Sequence, residues 1–268
     1  MNILELKTLK ERKRRLAMVT CYDYWSARIL AETAVDLILV GDSGAMVMHG
    51  FDDTIPATVE MMCTHVAAVR RGAPKKLIVA DLPFMAFRSD LATNIAGVRQ
   101  LMQAGAHAVK LEGFEGNAEF ITHLVNSGVP VMGHLGLTPQ SVNVLGGFRV
   151  QGRGDEPARR ILAQARGLED AGCFSLVLEC VPGDLAAEIT STLKISTIGI
   201  GAGAGCDGQV LVVDDMLGLF TPFKPKFVKR YANLGADADR AIAAYAAEVR
   251  ARTFPAPEHM FGDEAPRK

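Results

Sequence analysis

Four acidic residues stand where short apolar runs end, and these residue types at these places could do chemistry. They are Asp42 at the end of "DLILVGD", Asp81 at the end of "LIVAD", Glu112 in "VKLEG" and Glu179 at the end of "SLVLE". A carboxylate removed from water needs a cation, hydrogen-bond donors or solvent beside it. If the ends of these runs meet in space, the acids form one site, and a divalent cation would relieve their mutual repulsion.

The donor types favour magnesium as that cation. Oxygen ligands without a neighbouring cysteine or histidine pair suit Mg²⁺ better than zinc, and Mn²⁺ or Co²⁺ are possible substitutes. The alternative is that each acid is only a helix N-cap or a salt-bridged loop residue, as any one of them alone would often be. Four acids at equivalent positions favour a shared functional site.

Three further polar residues belong to the same predicted rim. Lys110 lies two residues before Glu112 and therefore on the same face of a strand, where it would neutralise an anionic substrate or pair with a neighbouring acid. Ser43 would donate a hydrogen bond to a substrate carboxylate or cap the following turn. His134 in "VMGHLG" is either a substrate-binding residue or an ordinary hydrogen-bonded histidine.

The order of apolar and amphipathic segments predicts how these residues are positioned. Short apolar runs alternate with helical patterns, which is typical of successive βα units with a parallel sheet. Seven strands are predicted over residues 16–23, 36–42, 77–81, 106–113, 129–136, 174–180 and 196–203, with an eighth within 217–221. The expected fold is a single (β/α)8 barrel over residues 1–268, in which all strands end at the mouth that carries the site. An N-terminal helix, a C-terminal helix over about 237–252 and a loose tail over about 253–268 complete the prediction.

Composition restricts the class of protein. The 268 residues are 49% hydrophobic and carry a formal net charge of -1, which gives no electrostatic footprint for nucleic acid or an anionic membrane. No apolar run reaches the length of a membrane span, and the charged N-terminus lacks a signal-peptide core, so we expect a cytoplasmic protein. Five scattered cysteines without a CxxC pair predict reduced thiols. The late "GIGAGAG" does not open a dinucleotide-binding unit.

Several blocks resemble one enzyme family. They are "VGDS", "ADLPFM", "VKLEG", "GHLGLTPQSVN", "QGRG", "LVLECVP", "IGIGAG", "DGQVLV" and "PKFVKRY", in order from about residue 17 to 231. Together they resemble the 3-methyl-2-oxobutanoate hydroxymethyltransferase family, also called ketopantoate hydroxymethyltransferase. One departure is Gly44-Ala45, where the family usually has Leu-Gly. Because alanine takes a positive φ less readily than glycine, the backbone of this loop could differ from that of the family. We expect the role of the adjacent Asp42 as a metal ligand to be unaffected.

The resemblance implies a specific reaction and specific residue roles. The fold would be a barrel of the phosphoenolpyruvate/pyruvate type, the metal Mg²⁺, the co-substrate 5,10-methylenetetrahydrofolate, and the assembly a homo-oligomer, commonly a decamer. Asp42, Asp81 and Glu112 look like the metal-site acids, with Asp42 and Asp81 also at the substrate. Ser43 and Lys110 look like substrate contacts. Glu179 looks like the proton acceptor that forms a metal-stabilised enolate of 3-methyl-2-oxobutanoate, which takes a one-carbon unit to give 2-dehydropantoate in pantothenate synthesis.

Two other functions stay open at this point. An isocitrate-lyase-like or phosphonopyruvate-type enzyme also holds a 2-oxo acid on magnesium, but those families generally carry a catalytic cysteine in a "KKCGH"-like block that is absent here. A non-catalytic barrel could bind a small anion without turning it over. An assay with a methylene donor separates the transferase from both.

Overall fold

The computed structural model describes residues 2–219 and 225–261, and these residues form a closed barrel of eight parallel strands. The strands pair in chain order, with β8 closing against β1. They are β1 Leu16–Thr20, β2 Leu37–Val40, β3 Leu77–Asp81, β4 Ala108–Glu112, β5 Val131–Gly136, β6 Ser175–Glu179, β7 Ser196–Ile200 and β8 Gly208–Leu211. The (β/α)8 prediction is confirmed.

Helices follow the strands in the alternation expected of βα units, except that β7 leads to β8 without a helix between them, and additional helices lie at both ends. They are α1 Ile3–Glu11, α2 Tyr24–Ala31, α3 Gly44–Val47, α4 Val59–Gly72, α5 Leu91–Ala104, α6 Ala118–Asn126, α7 Val142–Leu145, α8 Asp155–Asp170, α9 Gly183–Thr192, α10 Val213–Leu217 and α11 Leu234–Ala251. Two 3₁₀ turns cover Pro139–Ser141 and Pro257–His259. The predicted N-terminal and C-terminal helices correspond to α1 and α11.

Seven of the eight strand predictions agree with the structure to within a few residues, and the eighth is wrong. Leu217 ends helix α10, part of the predicted segment lies outside the described residues, and the true eighth strand is Gly208–Leu211. That strand has only four residues, and only its first and third are buried. This short strand begins with a glycine and an exposed glutamine, and its apolar stretch, residues 210–213, runs directly into helix α10 at Val213, so no turn residue marks where the strand ends.

The barrel interior is built from every second residue of the strands. One buried cluster contains Leu37 and Leu39 of β2, Leu77 and Val79 of β3, and Ala108 of β4, together with Met132, Val177, Ile198, Ile200 and Val210 from the later strands. Leu6 of α1 belongs to the same cluster and is 1% exposed. Because strand side chains alternate, the next inward position of each strand lies one layer closer to its C-terminal end.

Glycines follow several of the helix ends. Gly105 after α5, Gly128 after α6 and Gly172 after α8 all have positive φ, the backbone conformation that favours glycine at a helix end. Gly72 differs, because it is the last residue of α4 rather than the residue after it. A Cβ at Gly72 would lie 2.6 Å from the Ala27 Cβ, so this glycine allows close packing against α2.

The basic residues near the N-terminus do more than face solvent. Lys10 of α1 donates to the main-chain oxygens of Thr190 and Ile195 and pairs with Asp207 at 2.9 Å. Arg14 pairs with Asp36 at 2.8 Å. These two side chains therefore tie α1 and the segment after it to α9 and to the residues just before β2, β7 and β8.

Contacts divide the chain into two compact units. The first consists of Met1–Val213 and Lys226–Val228, and the second of Asp214–Pro225 and Lys229–Lys268. Within the second unit the ring of Phe254 lies 5.5 Å from the ring of Tyr245 of α11. The predicted tail begins at these residues and continues into 262–268, which lie outside the described residues.

Two expectations from composition can be compared with this structure. All five cysteines are free thiols, three of them buried. Among the described residues, none of the helices combines the length and the apolar character that crossing a membrane requires.

Candidate functional site

Strand register brings the candidate residues side by side at the C-terminal end of the barrel. Asp81 of β3 pairs with Lys110 of β4, and Glu112 of β4 pairs with His134 of β5. Asp81, Lys110 and His134 occupy the next inward positions after the apolar layers, and Glu112 the inward position after Lys110. Each of the four is at most 4% exposed. The apolar core of the barrel therefore ends in a layer of buried charged side chains.

Asp42 reaches the same layer from the turn after β2. It is 4% exposed, and its main-chain N–H donates to Asp81 Oδ2 at 3.1 Å. Its carboxylate oxygen Oδ2 accepts a 2.8 Å hydrogen bond from Gln140 Nε2. The main-chain N–H of Gln140 donates to Glu112 Oε2 at 3.1 Å. Asp42, Asp81 and Glu112 are thus held in one hydrogen-bonded group.

Two cationic or potentially cationic groups lie among these acids. Lys110 Nζ is 2.8 Å from Asp81 Oδ1 and 3.2 Å from His134 Nδ1. His134 Nδ1 is 3.5 Å from Glu112 Oε1, and His134 Nε2 is 3.2 Å from Glu179 Oε2. His134 therefore lies between the group of three acids and the fourth acid, Glu179.

Burial and crowding shift the protonation of this site. Burial, followed by the charges of Asp81 and Glu112, raises the pKa of Asp42 well above its usual value. Burial by itself lowers the pKa of Lys110, but the charges of Asp81, Glu112 and Asp42 outweigh it and raise that pKa. For His134, burial and Lys110 lower the pKa, while Glu112 and Glu179 raise it to about 9. The carboxylates thus make the pocket strongly favourable for cations.

Glu179 is fixed by the backbone around it. It ends β6 opposite Gly136, and its main-chain oxygen accepts a 2.8 Å hydrogen bond from Leu137 N–H. The following residue, Cys180, has a φ of +48°, an uncommon conformation for a residue with a side chain. Hydrogen bonds from Cys180 N–H to Ile200 O and from Gln151 N–H to Cys180 O hold that conformation. The turn directs Glu179 toward His134.

Replacing Gly136 by alanine is expected to destabilise the protein more than the same change at Gly147. Both glycines have positive φ, +93° and +106°, so both substitutions strain the backbone. Only at Gly136 would the new Cβ collide with the main-chain oxygen of Glu179, and it would also lie 2.7 Å from Val181 Cγ1. At Gly147 nothing lies within 4 Å. We expect losses of about 2 to 4 kcal/mol and about 1 to 2 kcal/mol in the free energy of unfolding, respectively.

Urea unfolding of the two variants measures this difference. Equal losses would contradict the expectation, because they would mean that the strand ends move apart at little cost. The activity of Gly136→Ala, compared at a temperature where it is folded, reports whether the Glu179 turn has moved.

The residues fit Mg²⁺ by the chemistry of their donors. Within residues 2–219 and 225–261, no three His, Cys, Asp or Glu side chains are placed so that together they could hold a metal ion. Mg²⁺, however, is usually bound through one or two carboxylates and completes its shell with water and substrate oxygens. Asp42 and Asp81 offer such a pair. Glu112 Oε1, buried and without a hydrogen bond, is a further oxygen donor that the three-acid prediction requires.

Ser43 is half-buried beside Asp42, and its hydroxyl lies 2.9 Å from the hydroxyl of Tyr22. It precedes α3 without capping it through its side chain, so the turn-capping alternative finds no support. Gly44 begins this helix, and a Cβ there would lie 2.9 Å from the Tyr22 ring. Neither Gly44 nor Ala45 has positive φ, so the departure at these positions does not strain the loop.

Sequence reasoning missed Gln140, Tyr22 and Asn117. Gln140 belongs to the conspicuous block "GHLGLTPQSVN" and follows a strand end, which was an available signal. Asn117 is fully buried and donates to the main-chain oxygens of Glu112 and Gly113, which fixes the end of β4. Nothing in the sequence distinguishes Tyr22 from an ordinary core tyrosine.

Solved structures share this architecture. The crystal structure of 2,3-dimethylmalate lyase, a member of the PEP mutase/isocitrate lyase superfamily, superposes with a TM-score of 0.57 at 14% sequence identity. The match covers 98% of this chain and 92% of that chain. At this low identity the similarity shows the fold alone.

Sequence comparison gives closer relatives. The 3-methyl-2-oxobutanoate hydroxymethyltransferase of Bdellovibrio bacteriovorus is 54% identical over 259 residues, 97% of this chain and 98% of the relative. The protein of the same name from Coxiella burnetii is 51% identical over 256 residues, 95% and 96% of the two chains. A family model described as ketopantoate hydroxymethyltransferase matches residues 1–257. The chain therefore belongs to the ketopantoate hydroxymethyltransferase family of enzymes.

Proposed function

We propose that this enzyme transfers a hydroxymethyl group from 5,10-methylenetetrahydrofolate to 3-methyl-2-oxobutanoate, giving 2-dehydropantoate in the pantothenate pathway. The observation that carries the proposal is the division of the buried charged layer: three acids with a lysine on one side, and Glu179 across His134 on the other. The names of the relatives support the same reaction.

The first part of this layer suits a 2-oxo acid. Asp42 and Asp81, with Glu112 beside them, would hold Mg²⁺, which supplies a Lewis acid at the keto oxygen when it is bound. Lys110 is the cation that would attract the substrate carboxylate, and the Ser43 hydroxyl would donate a hydrogen bond to it. Burial of Asp42, Asp81, Lys110 and Glu112 strengthens these interactions, because little water competes for them.

Glu179 is placed to act as the general base. Its side chain is 16% exposed, against 3% for His134, so it stands at the accessible edge of the layer. The Glu179 carboxylate takes the C3 proton of the oxo acid, and the C–H electron pair moves toward the keto group to give an enolate. The contact with His134 Nε2 at 3.2 Å holds the carboxylate in place before this transfer.

The remaining atoms balance with one water molecule. The enolate carbon attacks the methylene carbon of the folate, a C–C bond forms, and a bond from that carbon to a folate nitrogen breaks. Water then displaces the second folate nitrogen from that carbon, so the second C–N bond breaks and the water oxygen becomes the hydroxyl group. The C3 proton and the remaining proton of the water go to the two folate nitrogens. The products are 2-dehydropantoate and tetrahydrofolate.

A direct assay tests the reaction. Pure protein with Mg²⁺, 3-methyl-2-oxobutanoate and methylenetetrahydrofolate is expected to form 2-dehydropantoate, measured by mass spectrometry. Omitting the methylene donor or adding EDTA should stop product formation. Binding of the oxo acid without any product would favour a non-catalytic barrel, and cleavage of an added 2-methylmalate-type acid would favour a lyase.

Three further predictions accompany this function. We expect a Mg²⁺ site, a homo-oligomer that is a decamer, and a cytoplasmic location. These three predictions rest on the sequence and on the resemblance to the family. Small-molecule partners agree with the buried charged layer at the barrel mouth. Metal analysis, light scattering and cell fractionation measure the three properties separately.

A further inference from the structure

Gln140 contacts several residues of the buried charged layer, although the proposed reaction gives Gln140 no role. It lies in the 3₁₀ turn Pro139–Ser141 after β5 and is 6% exposed. Its side-chain Nε2 donates to Asp42 Oδ2 at 2.8 Å and to the main-chain oxygen of Leu82 at 2.9 Å. Its main-chain N–H donates to Glu112 Oε2 at 3.1 Å. One residue thus joins the ends of β2, β3 and β4.

These contacts divide the oxygens of two acids into restrained and available ones. Oδ2 of Asp42 and Oε2 of Glu112 are each occupied by a Gln140 donor. Oε1 of Glu112 is buried and accepts no hydrogen bond, with His134 Nδ1 3.5 Å away. A carboxylate anchored through one oxygen cannot rotate freely, so its other oxygen keeps a fixed direction. Groups that restrain metal ligands in this way typically contribute ten- to a hundredfold to metal affinity.

We propose that Gln140 is a positioning residue that orients the Asp42 carboxylate for a divalent cation, acting through its side-chain amide. The proposal rests on the proposed function in taking Asp42 as a metal ligand. The contact with Leu82 O supports it, because the second N–H of the amide fixes the rotation of the amide itself. Both donors of Nε2 are therefore used, and Asp42 cannot turn without breaking a buried hydrogen bond.

The sharpest test is Gln140→Met, which keeps the side chain's length and removes both side-chain donors. The hydrogen bond from the main-chain N–H of residue 140 to Glu112 remains, so any effect comes from loss of the side-chain hydrogen bonds, including the one to Asp42. Titration calorimetry with Mg²⁺, or Mn²⁺ binding followed by electron paramagnetic resonance, should show about ten- to a hundredfold weaker affinity. Excess metal should then restore most of the activity, because the catalytic groups are unchanged.

Gln164→Met is the matched control. Its amide also donates to a carboxylate, Glu115 Oε1 at 3.0 Å, but on the exposed surface of α8. This variant should bind metal and turn over as the parent does. If Gln140→Met does not fold, Gln140→Asn, which keeps the amide but is one carbon shorter, gives the same comparison.

A double-mutant cycle separates positioning from general structural support. In an Asp42→Asn background, Gln140→Met should change the residual metal affinity by less than about threefold, because the residue through which it acts is already lost. Equal effects in both backgrounds would overturn the proposal, as would unchanged metal affinity in Gln140→Met. Absence of metal binding by the parent protein would also overturn it. Metal binding with the expected coupling, but without hydroxymethyl transfer, would leave the role of Gln140 standing and refute only the proposed function.

Discussion

Glu179→Gln is expected to lower kcat by about a hundred- to ten-thousandfold, the usual contribution of a positioned general base. The substitution is isosteric and keeps an oxygen beside His134 Nε2, which lies 3.2 Å from Glu179 Oε2, while it removes the negative charge. The loop that carries it is held by main-chain hydrogen bonds that the substitution does not touch. The variant should therefore fold and bind Mg²⁺ and the oxo acid as before.

The decisive measurement is exchange of the C3 proton of 3-methyl-2-oxobutanoate with deuterium from solvent, followed by NMR without folate. The parent should exchange it and Glu179→Gln should not. Glu188→Gln on α9 is the control, because that glutamate is exposed and the change conserves shape in the same way. Exchange at the parent rate in Glu179→Gln would remove Glu179 from the role of base.

Asp81→Asn is expected to weaken Mg²⁺ binding and to lower activity by more than about a hundredfold. This loss exceeds the roughly ten- to hundredfold loss that is typical when a residue that only supports a metal ligand is removed. Asp81 is 2% exposed and makes two contacts there: it pairs with Lys110 at 2.8 Å and accepts from Asp42 N–H at 3.1 Å. An asparagine oxygen can keep one of these contacts, but the negative charge that attracts the cation is lost.

Calorimetric titration with Mg²⁺ measures this directly, and an unfolding curve without metal shows whether the variant is intact. Asp170→Asn, at the exposed end of α8, should leave both unchanged. Metal affinity equal to that of the parent would exclude Asp81 as a ligand, whatever happened to the activity. Loss of activity together with a large loss of stability would instead indicate that the Asp81–Lys110 pair supports the fold.

Parts of this site were readable from the sequence because strand ends are local features. An apolar run that ends at an acid, as at Asp81 or Glu179, predicts a buried strand with a carboxylate at its C-terminal end. The parallel-barrel pattern then places such ends at one mouth. Where the local signal was weak the prediction was wrong. Strand β8, Gly208–Leu211, has two buried residues, and its apolar stretch runs without a turn into α10 at Val213, so the eighth strand was predicted further along the chain.

Gln140 illustrates what sequence patterns do not show. A glutamine in a loop has no preferred partner, and its role depends on the turn Pro139–Ser141 placing it within 2.8 Å of Asp42, 98 positions away in the chain. The same holds for His134, whose distances to Glu112 and Glu179 follow from the register of β4, β5 and β6.

The sequence alone determined the alternation of strands and helices, the acids at the strand ends and the family, because each is encoded by neighbouring residues or by long matching blocks. Only the tertiary structure decided the pairing: Lys110 with Asp81, His134 between Glu112 and Glu179, and Gln140 across Asp42 and Glu112. The physical reason is that barrel closure fixes strand register, and a shift of one residue would turn a buried charge out of the interior.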